Sequence, residues 1–173
     1  MLRIPLAVAA ILTALIAPSA ALPSTGTPAG ARAESAGSWR WPTDATRQVI
    51  RGFVAPAERW SAGHRGVDIA AGTQLRAPAD GIVRYAGWVV DRPVLSIDHG
   101  AALSSYEPVD ALVEAGDRVT AGEVIGTIEP GHCRTLCVHM GVRVDGDDDG
   151  YRNPLLWLGG VPRSILLPTR QIS

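Results

Sequence analysis

The sequence predicts an all-β fold, a single domain built as an antiparallel sandwich or barrel-like sheet. Short apolar or alternating runs, typical of strands, are separated by Gly, Pro and Asp. No stretch of about a dozen residues keeps the 3.6-residue apolar period of an amphipathic helix. Many short strands with frequent turn residues favour antiparallel sheets over a helix-covered parallel sheet.

Six strands and one short helical turn are expected along the chain. Residues 154–158, with the sequence Pro-Leu-Leu-Trp-Leu, are expected to form one helical turn against the sheet. The expected strands are 48–53, 81–88, 93–97, 103–106, 123–128 and 137–144.

The N-terminus has the pattern of a signal peptide, residues 1–21. Arg3 precedes an apolar run that ends before Pro18, and small residues follow at a plausible cleavage site. The run is shorter than the roughly 20 residues of a spanning helix. Residues 22–38 are rich in Pro, Gly, Ser, Thr and Ala, which predicts a flexible leader. Residues 39–173 then form the folded domain, and the protein is expected to be exported, either extracellular or associated with the cell wall.

The charge balance argues against nucleic acid as a partner. The 173 residues carry 16 basic and 17 acidic side chains, a formal net charge of -1, so no broad basic face can neutralise a phosphate backbone. All the basic residues other than His are Arg, because the sequence contains no Lys. The composition gives no signal for an oligomeric state.

Two segments carry residues suited to a metal. His64 and Asp68 are four positions apart, and an extended or gently curved chain at Gly66, where glycine permits backbone freedom, would let them converge. Cys137 and His139 share one face of a later strand. Two imidazoles and one carboxylate suit Zn²⁺ and leave a fourth position open for water. Spacing alone does not separate these residues from structural histidines.

The segment Gly63–Ile69 resembles the H-x-G-x-D-type signature of the lysostaphin-like (LytM-type) zinc endopeptidases, and Cys137-Val138-His139 stands in the place of their H-x-H motif. The resemblance extends from about residue 41 to 158, through 77–83, 97–100 and 116–127. It implies a β core of the duplicated hybrid motif type, Zn²⁺ as cofactor and peptidoglycan as substrate. The zinc ligands that it implies are His64, Asp68 and His139.

The sequence departs from that family at two reacting positions. Cys137 replaces the first His of H-x-H, and Pro108 replaces the His of a Tyr-x-His-Leu stretch, so two donors for an oxyanion are missing. Losing one such donor typically slows a reaction by about 100- to 1,000-fold. His132 and Glu107 are the candidate catalytic residues that remain, with Glu107 as a general base.

The two cysteines, Cys133 and Cys137, have three residues between them in a chain expected to be exported, which favours a disulfide. The alternative is a Cys137 thiolate as a fourth ligand, which would close the site and make it structural.

Three functional classes compete. The first is an exported zinc endopeptidase that cleaves the peptides of peptidoglycan. The second is a catalytically impaired domain of the same fold that binds the cell wall or regulates another wall hydrolase, and Pro108 and Cys137 favour it. The third arises because residues 116–127 also resemble biotinyl and lipoyl carrier domains; it is excluded, since those carriers need a Lys and this chain has none.

Overall fold

Two antiparallel sheets form the domain, whose computed structural model describes residues 39–144 and 150–159. The predicted signal peptide and leader, residues 1–38, lie outside the described residues. The strands are β1 Val49–Arg51, β2 Gly66–Ala70, β3 Gln74–Arg76, β4 Gly81–Val89, β5 Arg92–Asp98, β6 Leu103–Glu107, β7 Val109–Ala111, β8 Arg118–Val119, β9 Val124–Ile128, β10 Cys137–Arg143 and β11 Tyr151–Arg152, and the helix is α1 Leu155–Leu158.

The larger sheet has the strand order β1-β2-β10-β6-β5-β4-β8, with β11 paired to β10. The smaller sheet has the order β3-β9-β7. All pairings between these strands are antiparallel. The predicted all-β, antiparallel fold class is therefore confirmed, and strand β10 lies inside the larger sheet between β2 and β6.

Alternation along β2 and β10 separates the core face of the sheet from a polar face. Val67 and Ile69 in β2, and Val138 and Met140 in β10, are completely buried in the hydrophobic core. The residues between them point the other way, because successive side chains on a strand leave opposite faces. Asp68 and His139 are such intervening residues, so the core anchors the strands that present them.

The structure contains strands at all six positions expected from the sequence, and it adds the five-residue strand β2 and four shorter ones. β3, β7, β8 and β11 span two or three residues each, too few for an alternating pattern to be visible. The expected helical turn is present as α1, which ends at Gly159 in a left-handed conformation that suits glycine. Among residues 39–144 and 150–159, no helix is long and apolar enough to cross a membrane.

Replacing Ile69 by Ala tests whether the core beneath the polar face determines stability. Ile69 is fully buried, so Ile69→Ala should lower the free energy of unfolding by about 2–5 kcal/mol. Ile50, in the neighbouring edge strand, is 43% exposed, and Ile50→Ala should change stability by less than about 0.5 kcal/mol. Urea unfolding of both variants measures the difference, and equal midpoints would contradict this assignment of the core.

Candidate metal centre

Three potential ligand atoms converge on the polar face of the larger sheet. His139 Nδ1 lies 2.8 Å from Asp68 Oδ1. His64 Nε2 lies 3.1 Å from Asp68 Oδ1 and 3.2 Å from His139 Nδ1. The sequence therefore identified three residues that the fold brings together from positions 75 residues apart.

Strand register sets the position of two of these residues. In the pairing of β10 with β2, His139 lies opposite Asp68, and directly paired residues of neighbouring strands point to the same face. His64 comes before β2, where its backbone N–H donates to Val54 O at 2.8 Å and Val54 N–H donates to His64 O at 3.0 Å. These two backbone hydrogen bonds to Val54 thus fix the position of His64.

A backbone carbonyl orients the ring of His64. His64 Nδ1 lies 2.7 Å from Gly52 O, and a carbonyl oxygen can only accept, so Nδ1 carries the proton. The lone pair of Nε2 is then left for the centre, a common arrangement for metal-binding histidines. This contact could not be expected from the residue pattern, because a main-chain carbonyl carries no residue-specific signal.

Gly66 serves the site through its missing side chain. The chain at Gly66 is extended, one of the two forms expected from the sequence, since Gly66 belongs to β2 and is not among the glycines with positive φ. A Cβ at this position would lie 2.5 Å from His139 Nε2 and would also collide with Met140 O. The imidazole of His139 therefore packs directly over the backbone of Gly66.

Hydrogen bonding and burial hold the centre in the protonation states that bind metals. Burial raises the pKa of the Asp68 carboxyl, but hydrogen bonds from His139 and His132 outweigh this effect, so the pKa lies below its ordinary value. Burial lowers the pKa of His139 despite the opposing effect of Asp68. An ionised carboxylate and a neutral imidazole are the ligand forms of these side chains.

His132, expected from the sequence as a candidate catalytic residue, also reaches the centre. Its Nε2 donates to Asp68 Oδ1 at 3.0 Å, and its ring centroid lies 5.5 Å from that of His139. The side chain of His132 is 19% exposed, so most of its surface is covered by the rest of the protein. Asp68 Oδ1 thus has three imidazole nitrogens within 3.1 Å.

Glu107 lies on the other side of His139. In the pairing of β10 with β6, Glu107 is directly opposite His139, so the three strands carry Asp68, His139 and Glu107 in one row. Arg92 Nη1 approaches Glu107 Oε1 at 3.4 Å. The structure thus places both candidate catalytic residues on the face that carries the three ligand atoms.

The two departures from the family pattern are also visible in the structure. Cys133 and Cys137 form a disulfide, as expected, which removes the alternative of a Cys137 thiolate ligand. Cys133 Sγ lies close to ligand atoms of Asp68 and His132, and the three could together hold a metal ion if Cys133 were a free thiolate. The disulfide prevents this, because a disulfide sulfur is not a thiolate. Pro108 is buried directly after β6 and offers no hydrogen-bond donor.

Two cavities adjoin the centre on either side. A groove of about 740 Å³ includes His132 and Pro108 in its wall, and its remaining lining residues are Trp88, Asp91, Arg92, Pro93, Asp110, Glu129, Pro130 and Gly131. A smaller pocket of about 170 Å³ includes His139, Glu107 and Tyr151. Tyr151 and Trp88 were not expected from the sequence as part of the site, and Tyr151 lies on a strand of only two residues.

The donor set fits a tetrahedral divalent ion. Ligand atoms about 2.0–2.1 Å from a tetrahedral Zn²⁺ lie about 3.3 Å from one another. The three atoms described above are separated by 2.8, 3.1 and 3.2 Å, so a small outward movement would accommodate an ion. Two imidazoles and one carboxylate, with one position left over, are the donor chemistry of open zinc sites.

Solved structures with the same fold include the catalytic domain of an antimicrobial peptidase. The catalytic domain of the antimicrobial peptidase lysostaphin from Staphylococcus simulans superposes with a TM-score of 0.55 at 22% identity, covering 65% of this chain and 92% of that domain. Csd3 from Helicobacter pylori gives a TM-score of 0.55 at 22% identity, covering 69% of this chain and 34% of that one. At this level of identity the likeness shows the fold.

A family model shows the family to which the chain belongs, and sequence relatives are found in mycobacteria. Uncharacterized proteins of Mycobacterium bovis and Mycobacterium tuberculosis are 41% identical over 130 residues, which cover 70% of this chain and 52% of each relative. This chain therefore spans about half the length of the curated relatives that it matches. Residues 62–150, just over half of the chain, match the model of peptidase family M23. That range contains all three converging residues, and the chain belongs to peptidase family M23, a family of metallopeptidases.

Proposed function

We propose that this protein is an exported, metal-dependent endopeptidase that hydrolyses peptide bonds of bacterial peptidoglycan. The observation that carries the proposal is the convergence of His64 Nε2, Asp68 Oδ1 and His139 Nδ1 in a chain of family M23. The solved relative lysostaphin is described as an antimicrobial peptidase, which supports a substrate in the cell wall.

In this mechanism His64, Asp68 and His139 hold Zn²⁺. When bound, the ion acts as a Lewis acid that acidifies water and polarises an amide carbonyl. The carbonyl of Gly52 and the hydrogen bonds to Asp68 keep the ligands in their binding forms, as outer-shell contacts generally do.

Glu107 and His132 lie on the two sides of His139 and have different catalytic roles. Glu107 is suited to accept a proton from the attacking water and to pass it to the leaving amine nitrogen, because a carboxylate beside the ligand row can act as a general base and then as a general acid. His132 lies beside the centre and, by a shift of its Nε2–H from Asp68, is suited to donate a hydrogen bond to the oxyanion that forms on the scissile carbonyl, a role that Pro108 cannot take.

The groove beside His132 is the proposed path of the peptide substrate. Trp88 is 70% exposed in its wall and offers a flat apolar surface, while Asp110 and Glu129 add carboxylates. The groove is open and leads to His132, so an extended chain lying in it would pass next to the ligand row. The N-terminal apolar segment and the disulfide support export to an oxidising compartment.

A second candidate function is a domain that binds the wall or regulates another hydrolase without cleaving. Buried Pro108 and the disulfide-bonded Cys137 favour it, because neither can donate a hydrogen bond to an oxyanion. The two candidates make opposite predictions for hydrolysis while both allow zinc binding.

Digestion of purified peptidoglycan by the zinc-loaded protein distinguishes them. We expect new amine ends by mass spectrometry, their loss after chelation, their return with added zinc, and their absence with Asp68→Ala, which lacks a ligand. Glu114→Ala, an exposed carboxylate outside the site, should cleave like the unmodified protein. Zinc bound at one per chain without any new amine ends would establish the non-catalytic candidate.

Substitution of Gly66 tests the packing of His139. Gly66→Ala should lower stability by about 1–3 kcal/mol through overpacking, and should weaken zinc binding by about 10-fold or more because His139 must move. Gly126→Ala is the matched control, since its Cβ would lie 2.6 Å from Val109 Cγ1 in the smaller sheet. The control should lose similar stability but bind zinc normally, as measured by chelator competition; zinc binding unchanged in Gly66→Ala would refute the assignment.

The role of Glu107 is separable from metal binding. Glu107→Gln keeps the shape of the side chain and removes its basicity, so kcat should fall by about 100- to 10,000-fold with zinc affinity unchanged. Glu114→Gln is the control for loss of one carboxylate. A normal kcat in Glu107→Gln, or a loss of zinc, would show that Glu107 is not the base.

A further inference from the structure

The Cys133–Cys137 disulfide occupies the place where the family motif carries an imidazole. Cys137 is two residues before His139 on β10, so the two side chains leave the same face of the sheet. Cys137 is buried and its sulfur is bonded to Cys133. The polar face therefore has a disulfide where a hydrogen-bond donor is expected.

The other half of that disulfide is adjacent in sequence to a histidine that reaches the same centre. His132 immediately precedes Cys133, and its Nε2 lies 3.0 Å from Asp68 Oδ1. Asp68 itself is 2.8 Å from His139 Nδ1. An imidazole missing from the strand is thus present on the loop that the disulfide attaches to the strand.

The loop that carries His132, residues 129–136, is held by a backbone hydrogen bond at each of its two ends. Glu129 N–H donates to Pro108 O at 3.1 Å, and Ala71 N–H donates to Leu136 O at 3.2 Å. Between these points Gly131 has a φ of 118°, a turn that favours glycine, and Arg134 and Thr135 are exposed. The disulfide is a covalent attachment next to His132, at the part of the loop nearest the centre.

We propose that the Cys133–Cys137 disulfide is a positioning device that holds His132 at the metal centre, so that His132 replaces the imidazole absent at Cys137. The inference rests on the proposed metal site and on the proposed function. His132 is the group that contacts Asp68, whereas Cys133 and Cys137 act through it.

A double-mutant cycle on zinc affinity tests the proposal. The variants are His132→Ala, the pair Cys133→Ser with Cys137→Ser, and the triple variant, each titrated with zinc against a chelator. Removing a partner that hydrogen-bonds to a ligand typically weakens metal binding by about 10- to 100-fold. We expect that loss from His132→Ala, a similar loss from the serine pair, and no further loss in the triple variant, because both changes remove the same contact. Serine is used because a reduced Cys133 thiolate could itself join Asp68 and His132 as a ligand.

Additive losses in the triple variant would overturn the proposal, since the disulfide would then act independently of His132. Unfolding of the serine pair at 25 °C would also overturn it, because the disulfide would be holding the fold as a whole. A second variant keeps the disulfide and the composition but moves the imidazole: the exchange His132→Arg with Arg134→His. It should bind zinc as weakly as His132→Ala, and wild-type affinity in the exchange variant would refute the role of His132.

A readout in the metal-free protein separates this inference from the proposed function. Asp68→Asn should shift the ring signals of His132 in the NMR spectrum of the disulfide-bonded protein, and should leave them unchanged in the serine pair. A shift in both backgrounds would overturn the inference. If the cycle and the NMR agree with the expectation while peptidoglycan is not cleaved, the disulfide positions His132 and the endopeptidase proposal fails alone.

Discussion

The antiparallel register of β2 and β10 is the constraint on which the rest of the site depends. It sets His139 opposite Asp68, and because both strands are fixed from below by fully buried residues such as Ile69 and Val138, a slip of one position would exchange the core face for the polar face. The hydrophobic core therefore fixes the distance between two polar side chains that never enter it. Gly66 completes this arrangement, since only a residue without a side chain leaves space for the His139 ring above the strand.

The electrostatic interactions between Asp68 and the neighbouring histidines favour the same arrangement. A buried carboxylate is costly in isolation, and hydrogen bonds from His132 and His139 stabilise Asp68 in its ionised form. The Nε2 lone pair of His64 faces the same oxygen without a proton between them. A divalent cation would accept the lone pairs of both atoms and so offset their repulsion.

Much of this could be predicted from the sequence, for identifiable reasons. Long strands with apolar or alternating runs, such as β4 and β10, were predictable. The grouping of His64, Asp68 and His139 followed from the resemblance of their two segments to a known family signature, since spacing alone did not distinguish them from structural residues. The two-residue strand that carries Tyr151 has no periodicity to detect, and the contact of His64 with Gly52 is made by the main chain. The extended chain at Gly66 was expected, but its close contact with His139 was not, because the space that His139 needs depends on the neighbouring strand. The approach of His132 to Asp68 could not be predicted, because the two residues are 64 positions apart in the sequence and meet only in the folded protein.

The bridge between His64 and the segment around Val54 has a thermodynamic consequence. His64 is attached to Gly52 and Val54, at an exposed edge next to the three-residue strand β1, while Asp68 and His139 belong to the well-buried middle of the sheet. An ion that binds all three joins an edge of low intrinsic stability to the most stable part of the molecule. Ligand binding and edge order are then linked equilibria, so each favours the other by the same free energy. Metal binding at this centre would in this way stabilise the edge of the domain near β1.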